Sequence, residues 1–221
     1  MTITLKPGST VMFTGDSVTD SHRLEDPDGL GTGYPLRVAG EWGFRHPDRP
    51  VTWLNTGWRG DKVMDLEARW QDDVLAAEPD VVSIMIGGND AAWWSFDPEN
   101  GRVITAAEYR AGYERLLTPL AEAGTQLILI ESFMLPIRGT LEHGDLRIDE
   151  ALRKQWRADL DPKLEVVNEL AREYGAELLA ADRMFTELCE LADPEHWADD
   201  GVHPTPAGHA ALAEAWLRLV V

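Results

Sequence analysis

The stretch "DVVSIMIGG" (residues 80–88) is nearly continuous in apolar, largely β-branched side chains. A strand with one face in water alternates apolar and polar residues, whereas a continuous apolar run indicates a strand buried on both faces, as in a parallel sheet. Four other short runs have a related character and are also predicted to be strands: 9–15, 51–57, 125–132 and 176–182.

Longer amphipathic stretches alternate with these strands. They predict helices within 31–45, 62–77, 105–124, 146–175, 182–192 and 205–220. The third opens with a capping box at Thr105 and Glu108 and ends at Gly124, while Pro162 leaves open whether 146–175 is one helix or two. Strand–helix alternation predicts a doubly wound α/β sandwich, and the absence of repeats or linkers predicts one domain over 1–221.

The composition makes several classes of function unfavourable. A net charge of −19 repels phosphate backbones and anionic lipid surfaces, which argues against nucleic-acid and membrane partners. The single cysteine, Cys189, cannot form an internal disulfide. The N-terminal residues lack the pattern of a signal peptide, and no apolar run is long enough to cross a bilayer, so a cytoplasmic location is expected.

Small and polar residues follow the predicted strands. They are Gly15 to Ser17 after the first, Asn55 to Gly57 after the second and Gly87 to Asp90 after the third, and Asp200 and His203 come after the fifth. Each group could be an ordinary turn, cap or solvated loop. Because α/β sheets bind ligands at the carboxyl ends of their strands, the combination predicts a site at that edge.

These side chains supply the parts of nucleophilic acyl transfer. Ser17 offers a hydroxyl, His203 has a pKa suited to a base near neutrality, and Asp200 stands three residues before it to orient the imidazole. The candidate oxyanion donors are the backbone N–H groups of Ser17 and Gly57 and the side-chain amide of Asn89.

Four blocks in order then identify a family. With "GDSVTD" (15–20), "NTGWRGD" (55–61), "GGND" (87–90) and "DGVHP" (200–204), the chain resembles the SGNH (GDSL-type) hydrolases. The resemblance implies a flavodoxin-like three-layer α/β/α sandwich with a five-stranded parallel sheet. It also implies a serine esterase that works through an acyl-enzyme, with no organic cofactor and no metal.

One branch of that family is especially similar. "FTGDSVTD", "GTGY" and "HPTPAGH" look like the cytoplasmic carbohydrate acetylesterases that remove acetyl groups from xylo-oligosaccharides and form homo-oligomers. The implied substrate is an acetylated sugar. The chain departs from the expected pattern at Asp199 and Asp200, where two aspartates are adjacent. The spacing to His203 favours Asp200 as the orienting group, with Asp199 as the alternative.

The substrate-binding candidates carry two interpretations each. Trp93, Trp94 and Trp197 could stack on sugar rings or simply pack, and Asp16 could contact substrate or secure its turn. One cysteine and no closely spaced histidine pair argue against a metal site, and His209, inside the last predicted helix, is interpreted as structural. Two other functions stay open: a lipolytic acylhydrolase (lysophospholipase or thioesterase) on the same triad, and a non-catalytic binding module.

Overall fold

A five-stranded parallel sheet forms the centre of the computed structural model, which describes residues 2–97 and 99–221. The strands are β1 Thr10–Gly15, β2 Thr52–Asn55, β3 Val81–Met85, β4 Gln126–Ile130, β5 Leu141–His143, β6 Leu146–Ile148 and β7 Glu177–Leu179. The central sheet has the order β2-β1-β3-β4-β7, and β5 and β6 form a separate antiparallel hairpin. The single domain predicted over 1–221 includes Met1 and Pro98, which lie outside the described residues.

The helices lie on both faces of this sheet. They are α1 Ser17–Asp20, α2 Tyr34–Arg45, α3 Val63–Asp73, α4 Gly88–Phe96, α5 Ala106–Ala123, α6 Glu150–Tyr174, α7 Ala181–Leu188, α8 Pro194–Trp197 and α9 Pro206–Leu217, with a 3₁₀ turn at Leu75–Ala77. Apolar side chains of α2, α7 and α9 pack on one face of the sheet, and those of α3, α5 and α6 pack on the other. The predicted three-layer α/β/α sandwich is confirmed.

Burial explains the middle of the sheet. Every residue of β3 is buried, as its continuous apolar sequence predicts. Its one polar side chain, Ser83, is the hydrogen-bond partner of the Trp216 indole N–H at 3.0 Å, so the buried hydroxyl is not left unpaired. The strand is shorter than the predicted 80–88, because Gly87 has a φ of +136° and turns the chain into α4.

The structure confirms one helix prediction as made and revises others. The 105–124 prediction is confirmed, with the Thr105–Glu108 capping box in place and Gly124 as the left-handed cap. The 146–175 stretch splits differently from expectation: residues 146–148 belong to a hairpin, and α6 then runs unbroken through Pro162. Three short helices, α1, α4 and α8, form where the sequence pattern predicted no helix.

Backbone contacts join the N-terminal and C-terminal segments of the described chain. Ile3 and Val220 form an isolated parallel bridge, and Ile3 N–H donates to Leu219 O at 3.1 Å. In addition, α9 packs against α2 through a shared apolar core. The segment after α8, which contains α9, therefore packs in the same core as α2 and bonds to the segment before β1. Within residues 2–97 and 99–221, no helix has the length and apolar character needed to span a membrane.

Candidate active site

Ser17 is the first residue of α1, directly after β1. The turn before it is pressed against β3: a β-carbon on Gly15, whose φ is +149°, would lie 1.9 Å from Met85 O. Only glycine fits there. The Asp16 carboxylate then caps α1 by accepting the Val18 N–H at 3.1 Å. These contacts fix the strand-to-helix turn and hold Ser17 at the carboxyl edge of the sheet.

The structure brings Ser17, His203 and Asp200 into one hydrogen-bonded chain. Ser17 Oγ lies 2.9 Å from His203 Nε2, and His203 Nδ1 lies 2.6 Å from Asp200 Oδ2. Since an ionised carboxylate can only accept, Nδ1 carries the proton and Nε2 is free to accept from the serine hydroxyl. The other Asp200 oxygen accepts the backbone N–H groups of Val202 at 2.9 Å and His203 at 2.7 Å. The carboxylate thus positions both the ring and its backbone.

The loop that carries the histidine is braced on two sides. Gly201, with a φ of +89°, accepts the Leu135 N–H at 2.8 Å from the segment after β4. On the other side, Thr205 caps α9 through Gly208 N–H, and its hydroxyl donates to His196 O at 2.7 Å. The imidazole is therefore held by the fold as well as by Asp200.

The electrostatics suit a general base. The hydrogen bond to Asp200 raises the pKa of His203 above its ordinary value, against the opposing effect of burial. Burial alone would raise the pKa of Asp200, but its bonds to His203 outweigh this and lower it. Asp200 consequently stays ionised while His203 changes charge, which is the division of roles that a histidine base requires.

Asn89, in the first turn of α4, is oriented by the neighbouring loop. One of its side-chain N–H groups donates to Asp61 O at 3.0 Å, which leaves the second for a ligand. The next residue, Asp90, accepts the Val63 N–H with both carboxylate oxygens at 3.2 Å. Asn89 and Asp90 of α4 therefore hydrogen-bond to residues 61–63 and hold the loop before α3 next to the candidate site.

The prediction that Gly57 supplies an oxyanion donor is wrong. Its N–H already donates to Asn55 Oδ1 at 2.9 Å, and a β-carbon on this buried residue would lie 2.4 Å from Asp20 N. The glycine at 57 permits close packing against α1 and its own backbone N–H is engaged.

Gly60 is better placed than Gly57 to supply a backbone donor. It has a φ of +85° and directly precedes Asp61, whose carbonyl holds Asn89. In the part of the chain that the structure describes, neither the Gly60 N–H nor the Ser17 N–H has an assigned acceptor. The block "NTGWRGD" contains both glycines, and only the hydrogen bonds of the folded loop distinguish Gly60 from Gly57 as a candidate donor. The hydrogen bonds therefore favour Gly60 N–H over Gly57 N–H as the backbone donor beside Ser17 N–H and the Asn89 amide.

Two buried carboxyl groups lie beneath this donor set. Burial raises the pKa of Asp16 to about 6 and that of Asp90 to about 7, although each accepts a backbone N–H. Asp16 is only 5% exposed and accepts the Val18 N–H, which favours its alternative role of securing the turn before Ser17 over contact with substrate.

The structure gives the three tryptophan candidates different surroundings. Trp93 is exposed and lies next to Gly60. Trp94 packs against α6, and its indole N–H donates to Ala91 O at 2.9 Å and to Asp159 Oδ2 at 3.1 Å, which favours its packing interpretation. The Trp197 indole donates to Leu188 O at 3.1 Å and supports α8, which favours its packing interpretation.

His209 makes structural contacts inside the fold. Burial, with the charge of Arg37, lowers the pKa of His209 to about 4, and its Nδ1 accepts the Tyr34 N–H at 3.1 Å. The interpretation of His209 as structural is therefore confirmed. Across residues 2–97 and 99–221, the His, Cys, Asp and Glu side chains form no group of three or more arranged to hold a metal ion.

Comparison with known proteins adds independent findings. A family model described as the GDSL-like lipase/acylhydrolase family matches residues 13–211. An acetylxylan esterase from Geobacillus stearothermophilus is 33% identical over 219 residues, which cover 96% of this chain and 93% of that protein. The crystal structure of an acetylxylan esterase from the same organism superposes with a TM-score of 0.80 at 31% identity, covering 97% and 95% of the two chains. A catalytic mutant of that esterase, with a serine replaced by alanine, has a TM-score of 0.81 at 31% identity over 99% and 96%.

Proposed function

Because the chain belongs to the GDSL-like lipase/acylhydrolase family, we propose that its Ser17–His203–Asp200 site removes acetyl groups from acetylated carbohydrates, with acetylated xylo-oligosaccharides as the substrate class. The chain is a serine ester hydrolase of the SGNH type. The observation that carries the proposal is the hydrogen-bonded chain from Ser17 Oγ to Asp200 Oδ2. The acetylxylan esterases to which it is similar over nearly its whole length support the acetyl and sugar specificity.

The proposed cycle follows from the geometry. Ser17 Oγ attacks the acyl carbonyl carbon as His203 Nε2 accepts its proton, and Asp200 stabilises the imidazolium that forms. The oxyanion is bound by Ser17 N–H, Gly60 N–H and the free N–H of Asn89. His203 then protonates the leaving sugar alkoxide. A water molecule, deprotonated by the same histidine, attacks the acyl-enzyme and releases acetate and Ser17.

Asn89 tests the oxyanion assignment. Asn89→Ala is expected to lower kcat by about 10²–10³, the usual loss for one oxyanion donor, with little change in KM. Steady-state kinetics on p-nitrophenyl acetate measure the effect, and circular dichroism shows whether the fold is kept. A fall of less than about threefold would remove Asn89 from the donor set.

The pH dependence tests the base. His203 must be neutral to accept a proton, and its pKa lies above the ordinary value of 6.5 because of Asp200. As pH falls through this raised pKa the base becomes protonated, so kcat/KM is expected to decline on the acid side with a midpoint above 6.5. A pH–rate profile measures it. An acid limb below the ordinary histidine value would contradict the Asp200–His203 coupling.

The substrate class is tested by comparing the hydrolysis of different types of ester. Purified enzyme is incubated with acetylated xylo-oligosaccharides, and acetate is quantified beside the hydrolysis of p-nitrophenyl dodecanoate and a lysophospholipid. Release of acetate with little attack on the long-chain esters supports the proposal. Preference for long chains would instead establish the lipolytic function, and no hydrolysis of any ester would favour a binding module.

A cytoplasmic location and a homo-oligomeric state are further proposals that rest on the resemblance to the carbohydrate acetylesterases. Light scattering after size-exclusion chromatography tests the second. A mass of 24.6 kDa, that of one chain, would refute the homo-oligomer.

A further inference from the structure

Trp93 stands beside the proposed oxyanion donors. Its ring carbons Cη2 and Cζ3 lie 3.4 and 3.5 Å from the point that a β-carbon on Gly60 would occupy. Trp93 also follows Asn89 by four residues in α4, so both side chains are on one face of the helix. Since a helical side chain leans towards the helix N-terminus, the indole covers the surface next to Asn89. The ring thus borders two of the three donors.

The ring is held in this position by its neighbours. Lys62 Nζ lies over the indole, 4.9 Å from the centroid, and is itself paired with Asp65 Oδ2 at 2.6 Å. Phe96 supports the ring from the next turn of α4, with the two centroids 6.2 Å apart. Yet 36% of Trp93 remains exposed. A large apolar surface that is fixed but still accessible beside a site is available to contact a ligand.

The direction of the acyl chain follows from the reaction. The leaving alkoxide must lie near His203 Nε2 to be protonated, and the carbonyl oxygen must point towards Ser17 N–H, Gly60 N–H and Asn89. The acyl substituent is the third group on the carbonyl carbon, so it points away from His203 and lies beside the oxyanion donors rather than towards them. Trp93 borders two of those donors, Gly60 and Asn89, so its ring is positioned to meet the substituent.

We propose that Trp93 is the residue that limits the acyl group to acetyl, by closing the acyl side of the site next to Gly60 and Asn89. The proposal rests on the esterase function proposed above and adds to it the determinant of chain length. A methyl group fits in front of the ring, whereas each further methylene of a longer acyl chain meets the indole. Truncating the ring should open this space without touching Ser17, His203 or Asp200.

The test compares Trp93→Ala, Trp93→Phe and the wild type on p-nitrophenyl acetate, butyrate and hexanoate. A pocket gains about tenfold or more in discrimination for each methylene that it accepts or rejects. The hexanoate-to-acetate ratio of kcat/KM is therefore expected to rise at least about tenfold in Trp93→Ala. Trp93→Phe, which keeps a smaller ring, should give an intermediate ratio.

Trp94→Phe is the matched control, because it makes the same chemical change one residue along the helix while its ring packs against α6. Its chain-length profile should equal that of the wild type, and thermal melts report the folding of every variant. An unchanged ratio in Trp93→Ala, whether its rates are kept or fall together, overturns the proposal. So does a wild type that hydrolyses hexanoate as well as acetate. Failure of the proposed function is separate, since it would show as ester hydrolysis that survives Ser17→Ala.

Discussion

Ser17→Ala is expected to lower kcat by about 10⁴–10⁶ with the fold intact, because the substitution removes the nucleophile and leaves only the oxyanion donors and substrate binding. The change itself is small: one hydroxyl is lost from a half-buried side chain that hydrogen-bonds to His203. Acetate release from p-nitrophenyl acetate measures the loss, and the melting temperature measures the fold.

The double variant Ser17→Ala/His203→Ala is the control for this prediction. Residues that act as one unit have non-additive effects, so the double variant should be about as slow as either single one. Multiplied losses would mean that Ser17 and His203 act in separate steps. Retention of more than about a tenth of wild-type activity by Ser17→Ala would refute the serine mechanism.

Asp200→Asn is expected to lower kcat by about 10³–10⁴, because an amide can donate to Nδ1 and so favour the tautomer in which Nε2 carries the proton. The structure gives this residue three hydrogen bonds to the 202–203 segment, including the 2.6 Å bond to Nδ1. The measurement is again steady-state kinetics. The acid limb of the pH profile should also move to lower pH, since the group that raises the pKa of His203 is gone.

The neighbouring Asp199→Asn provides the matched control. Asp199 is exposed and affects His203 only through its charge, which is the smallest named contribution to the raised pKa. Its replacement should change kcat by less than about threefold, the modest effect typical of a surface charge. A large loss in Asp199→Asn with little loss in Asp200→Asn would reverse the assignment of the orienting carboxylate.

Buried apolar runs and cap residues are what made the fold predictable from sequence. The run at 80–88 and its four partners contain all five strands of the parallel sheet. The apolar character of β1, β3 and β4 has a direct cause in burial on both faces, whereas the edge strands β2 and β7 are only partly buried. Thr105, Glu108 and Gly124 mark helix ends through hydrogen bonds that are local in sequence. For the same reason, the Asp-x-x-His spacing at Asp200 and His203 pointed to a contact within one turn.

Features that depend on long-range docking were not predictable in the same way. Helix α4 begins with Gly88 and contains two adjacent tryptophans, so its local propensity is poor, and it is fastened by the Asp90 contact to Val63. The β5–β6 hairpin turns at Gly144, whose φ of +58° the neighbouring helical pattern obscured. Gly57 and Gly60 differ in whether their N–H is already bonded, which depends on the side chain of Asn55.

The separation of Ser17 and His203 along the chain also has a consequence for timing. The two residues are 186 positions apart, and the segment with His203 docks through α9 and the bridge between Ile3 and Val220. During translation the serine therefore leaves the ribosome long before its base exists. A growing chain exposes only an ordinary alcohol until the segment with His203 has emerged and docked, so the appearance of hydrolytic activity reports that this segment is in place.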